Sequence, residues 1–493
     1  MPLNILVDTN IFIKREDPIE IDNKLSKIFK KISEKGDTIY IHEKSKEDLL
    51  NDKDDNRKKV MLSKINAYPC IKSNNYYQDD EYCSKIKISD KKNDKIDAEI
   101  LYSLYNQKID FLITEDKMIH KNSIKLGLEN NVFTVDEFYE YIYIEDNIHS
   151  PKLIKTTVDQ LDVNDPIFNT LKKDYNEFLY WFKKIQKEHR PAFIYQHENK
   201  ELGAVLIYKE IEEETIELKN EVLPPKKRLK IATLYVAESR NKIGESLLKN
   251  IFKKAKSVGV DEIYLTHFTK DDDVLVPFIE KYGFELKGLN SRNEEVFIKN
   301  MNLNEIKVNF SKYNNDFIST KYFPYYSDNK NIDKFIVPIL PKYYLSLFDT
   351  SQKTVDDYLD DTFPEDLVQI NAIQKAYISK SHTNLKKGDL IIFYESKKGG
   401  LKEIGVVTDF LKSDDLNEIK NIIGKRSVFK DEEINNQIKE LKNNSNLSVI
   451  LFNHVESIDI SFNDLKDKID FKPPQTIQSI SESKYMILKE LVK

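Results

Sequence analysis

The sequence predicts a multidomain chain of mixed α and β structure, and three observations support this fold class. The 493 residues exceed what one hydrophobic core holds, so about two to four domains are expected. Up to about residue 147, apolar strands alternate with helical patterns, which is typical of a parallel sheet covered by helices. An α+β pattern follows, and the last third consists mostly of strands. We therefore predict three domains over residues 1–147, 155–302 and 319–493.

Composition and charge exclude several classes of protein. Hydrophobic residues make up 40% of the chain and charged residues 32%, as in folded water-soluble proteins. The net charge of −6 excludes a polycation, so any contact with nucleic acid has to come from local basic patches. No apolar stretch approaches the ~18–20 residues that span a bilayer, and the first residues lack a basic segment. We therefore expect neither a membrane span nor a signal peptide. The two cysteines, Cys70 and Cys83, have no zinc-type spacing, which suits a reducing cytosol.

The first 147 residues contain the alternating elements of a parallel sheet. Strand patterns are "NILV" at residue 4, "TIYIH" at residue 38, "FLI" at residue 111 and a short "NVF" at residue 131. The helical pattern after the first strand ends at Gly36, a typical stop signal. The polar, tyrosine-rich segment 70–92 is expected to form a loop.

Acidic residues stand at the ends of these predicted elements. Asp8 ends the first strand, and Asp116 ends the strand "FLITED". Because the carboxyl ends of parallel strands share one edge of a sheet, we expect these two side chains to lie close together. Asp97 begins a helix, and Asp48 lies one turn into another. Four carboxylates in one cleft cannot all stay ionised without a cation, and hard oxygen ligands favour Mg²⁺ or Mn²⁺. A metal held by Asp8, Asp97 and Asp116 would activate water for attack on a phosphodiester.

This set of residues resembles the PIN domain family of metal-dependent ribonucleases, over roughly residues 4–145. The resemblance implies cleavage of single-stranded RNA, with Asp8, Asp48, Asp97 and Asp116 as the catalytic acids. It also implies that the metal ligands are oriented by Thr9, Asn10 and Thr114. Two choices stay open. Either Glu47 or Asp48 points into the cleft, and Asp94 either adds a further carboxylate or does not.

A strand, a turn and an amphipathic helix mark the second domain, in "LKIATLYVAESRNKIGESLLKNIFKKAK" from residue 229. Exposed amides at such a helix start bind a pyrophosphate. The arrangement resembles the GNAT acetyltransferase family over roughly 155–302. The resemblance implies that the strand and turn hold acetyl-CoA, and that the next strand splays away to admit the pantetheine arm. It assigns the thioester carbonyl to the amides of Val236 and Ala237, and the pyrophosphate to those of Arg240, Asn241, Lys242, Ile243, Gly244 and Glu245.

The turn departs from the family pattern in ways that bear on activity. Counting back from Gly244, Ser239 stands where the family has Arg or Gln, and Lys242 stands where it has a first glycine. A tyrosine that many members use as general acid is replaced by Ile279. His267, at the end of the next strand, is the local candidate for a base, because histidine is the side chain that commonly accepts a proton near neutral pH. A surface histidine is the competing interpretation.

The third domain contains "KKGDLIIFYES" and "EIGVV", two strand patterns with a Gly-Asp turn at their head. It resembles the PUA-like superfamily (the ASCH and EVE group) over about 320–480. The resemblance implies a small β-barrel associated with RNA or modified bases. The residues that would contact phosphates or stack on bases are Lys375, Tyr377, Lys386, Lys387 and Tyr394. Solvated lysines on an ordinary barrel are an equally supported interpretation.

The patterns together predict a cytoplasmic enzyme that acts on RNA or on an RNA-associated substrate. An endoribonuclease and an N-acetyltransferase would share one chain, as in a toxin, a defence effector or an RNA-processing factor. A toxin would come with a neutralising partner protein. Two alternatives stay open. In one, the chain is an RNA- or ligand-sensing binding module with a degenerate acetyltransferase domain. In the other, acetyl transfer to a protein or tRNA is the activity, and the first domain is a scaffold. The oligomeric state stays undetermined.

Overall fold

A computed structural model describes most of the chain. The described residues are 3–16, 22–50, 55–86, 88, 91–142, 153–197, 200–237, 241–271, 273–348, 372–396, 399–426, 429, 431–441 and 445–492. Within these ranges the side chains at positions 23, 48, 55–57, 60, 140, 241, 242, 342, 345, 346 and 425 lie outside the description. Residues 1–147, 270–278 and 413–440 form one compact unit, and residues 148–269, 279–412 and 441–493 form a second.

The first unit is built on a five-stranded parallel sheet. Its strands are β1 (Asn4–Val7), β2 (Thr38–His42), β3 (Cys70–Ile71), β4 (Phe111–Ile113) and β5 (Val132–Phe133). Its first helices are α1 (Thr9–Glu16), α2 (Asn23–Lys35), α3 (Glu43–Leu50), α4 (Asp55–Ile65), α5 (Asp80–Lys85), α6 (Lys92–Tyr105), α7 (Lys117–Leu126) and α8 (Val135–Ile142). The strand order is β3-β2-β1-β4-β5 and every pair is parallel, which confirms the predicted parallel sheet.

Apolar strands and helix caps explain these elements. Ile5 and Val7 of β1 belong to one buried cluster and Leu6 to another, because successive side chains of a strand point to opposite faces. Helices therefore cover both faces of the sheet. Helix α2 begins where the Asp22 side chain accepts a hydrogen bond from a first-turn amide, and it ends at Gly36, whose φ is 76°. Gly36 is the stop signal that the sequence predicts.

The tyrosine-rich segment 70–92 differs from the predicted loop, since it contains β3 and α5. The reason is an aromatic cluster that the segment forms with α6. Tyr82 is fully buried, its hydroxyl donates to the Ala98 carbonyl at 2.6 Å, and its ring centroid lies 4.8 Å from that of Tyr102. Tyr76 and Tyr105 complete the cluster. The burial of these rings stabilises ordered structure in a segment whose composition is otherwise polar.

The second unit contains two sheets, of which the first has seven strands. Its strands are β6 (Leu153–Thr157), β7 (Pro191–Gln196), β8 (Leu202–Glu212), β11 (Arg228–Val236), β12 (Glu262–His267), β13 (Phe284–Leu289) and β14 (Glu295–Asn300), and β9 (Ile216–Glu217) and β10 (Val222–Leu223) pair separately. The helices along this stretch are α9 (Asn169–Asp174), α10 (Phe178–Lys187), α11 (Asn241–Val258) and α12 (Leu275–Lys281). The strand order is β13-β14-β12-β11-β8-β7-β6. Only β11 and β12 pair in parallel, so the sheet is mixed, as the α+β pattern predicts.

The other sheet of the second unit has six strands in the order β16-β19-β18-β17-β15-β20. The strands are β15 (Lys334–Ile339), β16 (Gln374–Ser379), β17 (Leu390–Glu395), β18 (Leu401–Ser413), β19 (Leu447–Ile460) and β20 (Gln478–Ser479). The helices α13 (Leu303–Lys307), α14 (Asn315–Lys321) and α15 (Pro341–Leu347) precede or follow its first strand. Closure of this sheet into a barrel stays a prediction.

Four helices follow β18 in the sequence, and two of them fold with the first unit. They are α16 (Leu416–Ile423), α17 (Asp431–Lys439), α18 (Phe462–Ile469) and α19 (Glu482–Leu491). Asp431 at the start of α17 pairs with Lys35 at 2.9 Å, and Asn421 accepts a hydrogen bond from Asn131 at 2.7 Å. Residues 413–440 are thus held by the N-terminal sheet, although they lie within the predicted third domain. No helix in the described ranges is both long and apolar enough to cross a bilayer.

Candidate functional site

The carboxyl edge of the five-stranded sheet brings two of the predicted acids together. Strands β1 and β4 are neighbours at the point where the strand order reverses, which is where open α/β sheets place their ligands. Asp8 directly follows β1, and its amide donates to the Ile113 carbonyl at the end of β4 at 3.0 Å. Asp116 lies three residues beyond that carbonyl, at the start of α7.

Asp8 is only 5% exposed, and its carboxylate is satisfied by three hydrogen bonds. Oδ1 accepts from the Thr9 amide at 2.6 Å. Oδ2 accepts from the Asn10 side-chain amide at 2.9 Å and from the Thr114 hydroxyl at 2.6 Å. These donors offset the cost of burying a carboxylate at the end of an apolar strand.

Thr114 ties the two acids to each other. Its hydroxyl donates to Asp8 and accepts a hydrogen bond from the Asp116 amide at 3.0 Å. Oδ1 of Asp116 accepts from the amides of Met118 and Ile119 at 2.7 and 2.9 Å, so this carboxylate also caps α7. The predicted orienting role fits the position of Thr114 and of Asn10. The Thr9 hydroxyl is buried without a hydrogen-bond partner in the described structure, so only the amide of that residue reaches Asp8.

The other predicted acids do not complete a metal site in the described structure. Asp97 lies half-buried in the second turn of α6, and Asp94 lies one turn earlier. The side chain of Asp48 is outside the described residues, although its backbone belongs to α3. Among the described side chains, no group of three or more carboxylates, imidazoles or thiols is arranged to hold a metal ion. Metal binding at this edge stays a prediction.

His42 is a residue of this edge that the sequence analysis missed. It ends β2, the neighbour of β1, and it is fully buried. The Lys44 amide donates to Nδ1 at 3.2 Å, so the ring proton is assigned to Nε2, which has no partner in the described structure. Burial lowers the pKa of His42 to about 4, and the imidazole is therefore neutral at physiological pH.

In the second unit, strands β11 and β12 separate towards their carboxyl ends. Their parallel pairing runs from Arg228 and Glu262 to Ile231 and Leu265 and stops there. Strand β11 continues to Val236, and β12 continues to His267. A register shift in the β11–β8 pairing lies between Ile231 and Thr233, at the level where the separation begins. The splayed pair that the sequence predicts is therefore present, and it leaves one edge of β11 open.

The pairing of β11 with β8 decides which amides face this opening. The Ala237 amide donates to the Gly203 carbonyl at 2.9 Å. Paired residues of an antiparallel ladder alternate between hydrogen-bonded and non-bonded pairs. Val236, opposite Ala204, and Leu234, opposite Leu206, therefore direct their amides away from β8 and towards the opening. Both residues lie beyond Ile231, the last residue of β11 that pairs with β12. Of the two amides predicted to bind the thioester carbonyl, that of Val236 faces the opening and that of Ala237 does not. The amide of Leu234, which the sequence does not predict, also faces the opening.

The predicted pyrophosphate turn is only partly within the described residues. Ser239 and Arg240 lie outside them, as do the side chains of Asn241 and Lys242. Helix α11 starts at Asn241, so the amides of Asn241, Lys242 and Ile243 have no partner within the helix, whereas those of Gly244 and Glu245 bond to carbonyls one turn earlier. Ile243 is buried, and the Glu245 carboxylate accepts from the Gln374 amide at 2.7 Å. The backbone amides up to Ile243 are therefore the groups of this helix start that remain to bind an anion.

A second contact fixes α11 against the six-stranded sheet within the same unit. Lys249 is fully buried, and its Nζ lies 2.9 Å from Nδ1 of His454 and donates to the Ala372 carbonyl at 3.3 Å. The other ring nitrogen of His454 lies 2.6 Å from Glu403. Burial lowers the pKa of Lys249 well below its usual range and raises that of Glu403. No sequence pattern indicates this network, because Lys249 lies 123 residues from Ala372 and 205 from His454, and Glu403 lies 51 residues from His454.

Of the other residues considered in the predicted acetyltransferase domain, His267 is half-buried, whereas Ile279 and Tyr282 are buried. His267 is half-buried as the last residue of β12 and pairs with Glu295 of β14. Ile279, at the position of the missing tyrosine, is fully buried in α12. Tyr282 is buried, with its ring centroid 6.3 Å from that of Phe252, so it lies in the core.

The predicted RNA-contacting residues do not share one exposed surface. Lys375, Tyr377 and Tyr394 are buried, and the Tyr377 hydroxyl donates to the Pro338 carbonyl at 2.9 Å. Lys386 and Lys387 are exposed, with side-chain exposures of 81% and 59%. In this conformation, solvent reaches the two lysines but not the two tyrosine rings. RNA binding stays a prediction.

Comparison with known protein families identifies the region around the separated strands. Residues 157–284 match the model of the acetyltransferase (GNAT) family. The matched segment includes β7, β8, β11, α11 and β12. The chain thus contains a GNAT acetyltransferase domain in its central part. A search of curated proteins finds no match to the chain.

Two solved structures are similar to parts of the chain. ASCH from Zymomonas mobilis is 12% identical, and the alignment covers 32% of this chain and 96% of that one with a TM-score of 0.24. PaiA N-acetyltransferase from Thermoplasma acidophilum, in complex with coenzyme A, is 16% identical, with 31% and 99% of the two chains covered and a TM-score of 0.24. At such low values neither likeness supports a statement about function.

Replacing Thr114 by valine tests how the acidic edge is held. Thr114→Val removes the hydroxyl that binds Asp8 and Asp116, and we expect a loss of about 1–3 kcal/mol in the free energy of unfolding of the first unit. Thr9→Val is the matched control and should stay within ~0.5 kcal/mol of wild type, because its hydroxyl has no partner. Hydrogen exchange of the β1 amides measures the free energy of unfolding of both variants. Equal losses in the two variants would show that the Thr114 bridge does not form.

The buried histidine predicts a pH dependence of stability. His42 has a pKa of about 4 in the folded chain against an ordinary value of 6.5, so on acidification the unfolded state binds the proton first. The first unit should therefore lose stability as the pH falls from about 6.5 to 4, by about 2 kcal/mol at pH ~5. Hydrogen exchange at pH ~7.5 and ~5 in wild type and His42→Gln measures this. The account fails if the variant loses as much stability as wild type.

Proposed function

We propose that the chain is an acetyl-CoA-dependent N-acetyltransferase. One observation carries the proposal: β11 and β12 separate after Ile231 and Leu265, which leaves the amides of Leu234 and Val236 unpaired beside the start of α11. Unpaired amides on an inner strand cost free energy unless a ligand satisfies them. The match of residues 157–284 to the GNAT family supports the same conclusion.

The residues around this opening suit acetyl-CoA in their chemistry. The amides of the first turn of α11 and the positive end of its dipole would bind the pyrophosphate, with Arg240 adding charge. The unpaired amides of Leu234 and Val236 would bind carbonyl oxygens of the pantetheine arm and the thioester. When bound, acetyl-CoA supplies an activated acetyl group. A backbone donor near the thioester oxygen would stabilise the negative charge that develops there when an amine attacks.

The departures in the turn leave the competing interpretation of a binding module in place. Lys242 at the position of a family glycine adds a side chain where the backbone has to approach a phosphate. Binding of acetyl-CoA and transfer of its acetyl group are therefore separate properties of the chain. Both cysteines, Cys70 and Cys83, are free thiols, which is consistent with the cytoplasmic location that we propose.

Acetyl-CoA should stabilise the second unit. At a hundredfold excess over Kd, a ligand adds about 2.7 kcal/mol to the free energy of unfolding, which raises Tm by several degrees. Thermal unfolding of the full chain can be followed by the fluorescence of Trp181, which is the only tryptophan and lies in the second unit. Arg240→Glu should weaken binding about tenfold or more, because it places a negative charge at the predicted pyrophosphate turn.

Lys183→Glu is the control for that variant, because it makes the same charge change at an exposed position of α10. It should leave the acetyl-CoA shift as in wild type. An unchanged Tm of the wild-type chain in the presence of saturating acetyl-CoA would refute the proposed function.

We propose as a second function that the first unit cleaves single-stranded RNA. RNA is the shared substrate to which the PIN-like and the PUA-like resemblances point. The observation that favours it is the strand order, which brings Asp8 and Asp116 to one edge with Thr114 between them. The described residues alone do not fit a Mg²⁺ or Mn²⁺ ion, so no step is derived through one. Hydrogen bonds from neighbouring residues at this edge would hold the carboxylates of Asp8 and Asp116 in place. RNA contact through Lys386 and Lys387 belongs to the same proposal, as does a neutralising partner protein.

The acidic edge can be tested by cleavage of single-stranded RNA in the presence of Mn²⁺. Asp8→Asn and Asp116→Asn should each lower the rate at least ~100-fold, because both remove charge from the proposed site. Asp110→Asn is the control. Asp110 precedes β4 at the opposite edge of the same sheet, where its carboxylate accepts from the Asn4 amide at 2.8 Å. Equal rates in wild type and all three variants would mean that the acids are structural.

A further inference from the structure

The solvent-facing side of α10 carries positive charge and no negative charge. Phe178, Phe182 and Ile185 belong to a buried cluster and define the inner side of the helix. With about 3.6 residues per turn, the exposed residues fall on one continuous side opposite that cluster. We call this side the basic face of α10, and its residues are Leu179, Tyr180, Lys183, Lys184 and Lys187. Helix α10 contains no aspartate or glutamate.

The charge of the basic face is not balanced within the described residues. None of its three ammonium groups forms an ion pair or a hydrogen bond in the described part of the chain. Helix α2 is also rich in lysine, and there Lys24 pairs with Asp136 and Lys30 with Glu34. The whole chain has a net charge of −6, so an unpaired basic face is a local feature of α10. Such a face attracts a polyanion.

The basic face also exposes an aromatic ring. Tyr180 is 78% exposed and has no ring contact or side-chain hydrogen bond among the described residues. Lys183 and Lys184 lie three and four residues later, so they are its neighbours on the helix surface. Proteins that bind single-stranded nucleic acid combine these two features, because bases stack on the ring and phosphates contact the cations.

Other anionic partners fit this face less well. A helix that binds a membrane surface inserts a wide apolar face, whereas the apolar face of α10 is buried in the protein. An acidic protein would balance the lysines but would leave the ring of Tyr180 without a base to stack on. The Tyr180 hydroxyl can bind a 2′-hydroxyl, the group that distinguishes RNA from DNA. Single-stranded RNA therefore matches the charge, the ring and the hydroxyl.

We propose that the basic face of α10 binds single-stranded RNA, with Lys183, Lys184 and Lys187 on phosphates and Tyr180 stacked on a base. The opposite side of the helix is packed into the core, so the surface is in place before RNA binds. The inference concerns binding alone, and it depends neither on acetyl transfer nor on cleavage of RNA. Because the contacts are with phosphates, affinity should fall as the salt concentration rises.

The test measures the fluorescence anisotropy of a labelled oligouridylate of ~20 nucleotides with the full chain and no acetyl-CoA. EDTA removes divalent ions, so that binding is separated from metal-dependent cleavage. Replacing Lys183, Lys184 and Lys187 together by glutamine should raise Kd at least ~10-fold. It should also lower the steepness of log Kd against log salt by about 2, or ~0.7 for each phosphate contact. Tyr180→Leu should raise Kd about tenfold without changing the salt dependence, because stacking involves no charge.

The matched control replaces Lys307, Lys330 and Lys472 by glutamine. These lysines of the second unit are exposed and have no ion pair in the described ranges. The control removes the same total charge and should keep the Kd and the salt dependence of wild type.

The inference is overturned if the α10 variant loses no more affinity than the control. It is also overturned if the deoxy strand binds as tightly as RNA, or if wild type prefers phosphatidylserine vesicles or polyglutamate to RNA. Failure of the chain to bind acetyl-CoA would refute the proposed acetyltransferase and would leave this inference standing.

Discussion

Hydrogen bonding between β11 and β12 stops after Ile231 and Leu265, and the account of acyl transfer depends on this loss of pairing. Strand β11 is held along its other edge by β8 through Val236. The strand can therefore leave one edge open without losing its place in the sheet. The open edge presents the amides of Leu234 and Val236, and the turn after Val236 leads into α11. A rigid strand, free donors and a helix start are thus combined over about ten residues.

Contacts within the second unit hold the chain in place on both sides of the opening. On the α11 side, Glu245 and Lys249 attach the helix to the six-stranded sheet through Gln374 and His454. These buried contacts fix the position of the helix start relative to β11. On the side of α9 and α10, the ring centroid of Tyr175 lies 5.6 Å from that of Phe268, which directly follows β12.

The first unit meets the cost of a buried acid in a different way. At the end of β1, Asp8 is satisfied by donors of the chain itself, from Thr9, Asn10 and Thr114. Such an arrangement is stable without a ligand, whereas the open edge of β11 is not fully satisfied without one. For this reason the geometry supports the proposed binding of acetyl-CoA more strongly than the proposed metal-dependent cleavage, although the strand order brings both carboxylates to one edge.

The sequence predicts those features that depend on local patterns. It places Asp8 and Asp116 together because both follow strands, and it predicts that Gly36 ends a helix. Features set by long-range pairing were missed. Whether Val236 or Ala237 offers its amide depends on the bond from Ala237 to Gly203, which sequence spacing does not reveal.

The central claim is most directly tested by hydrogen–deuterium exchange of the full chain with and without acetyl-CoA. The account assigns to the ligand the backbone amides of Leu234, Val236 and the start of α11, all of which lie within residues 231–248. Slower exchange in this segment on addition of acetyl-CoA, with β1 and β4 unaffected, is the result that the account predicts. Unchanged exchange of this segment at saturating acetyl-CoA would contradict it.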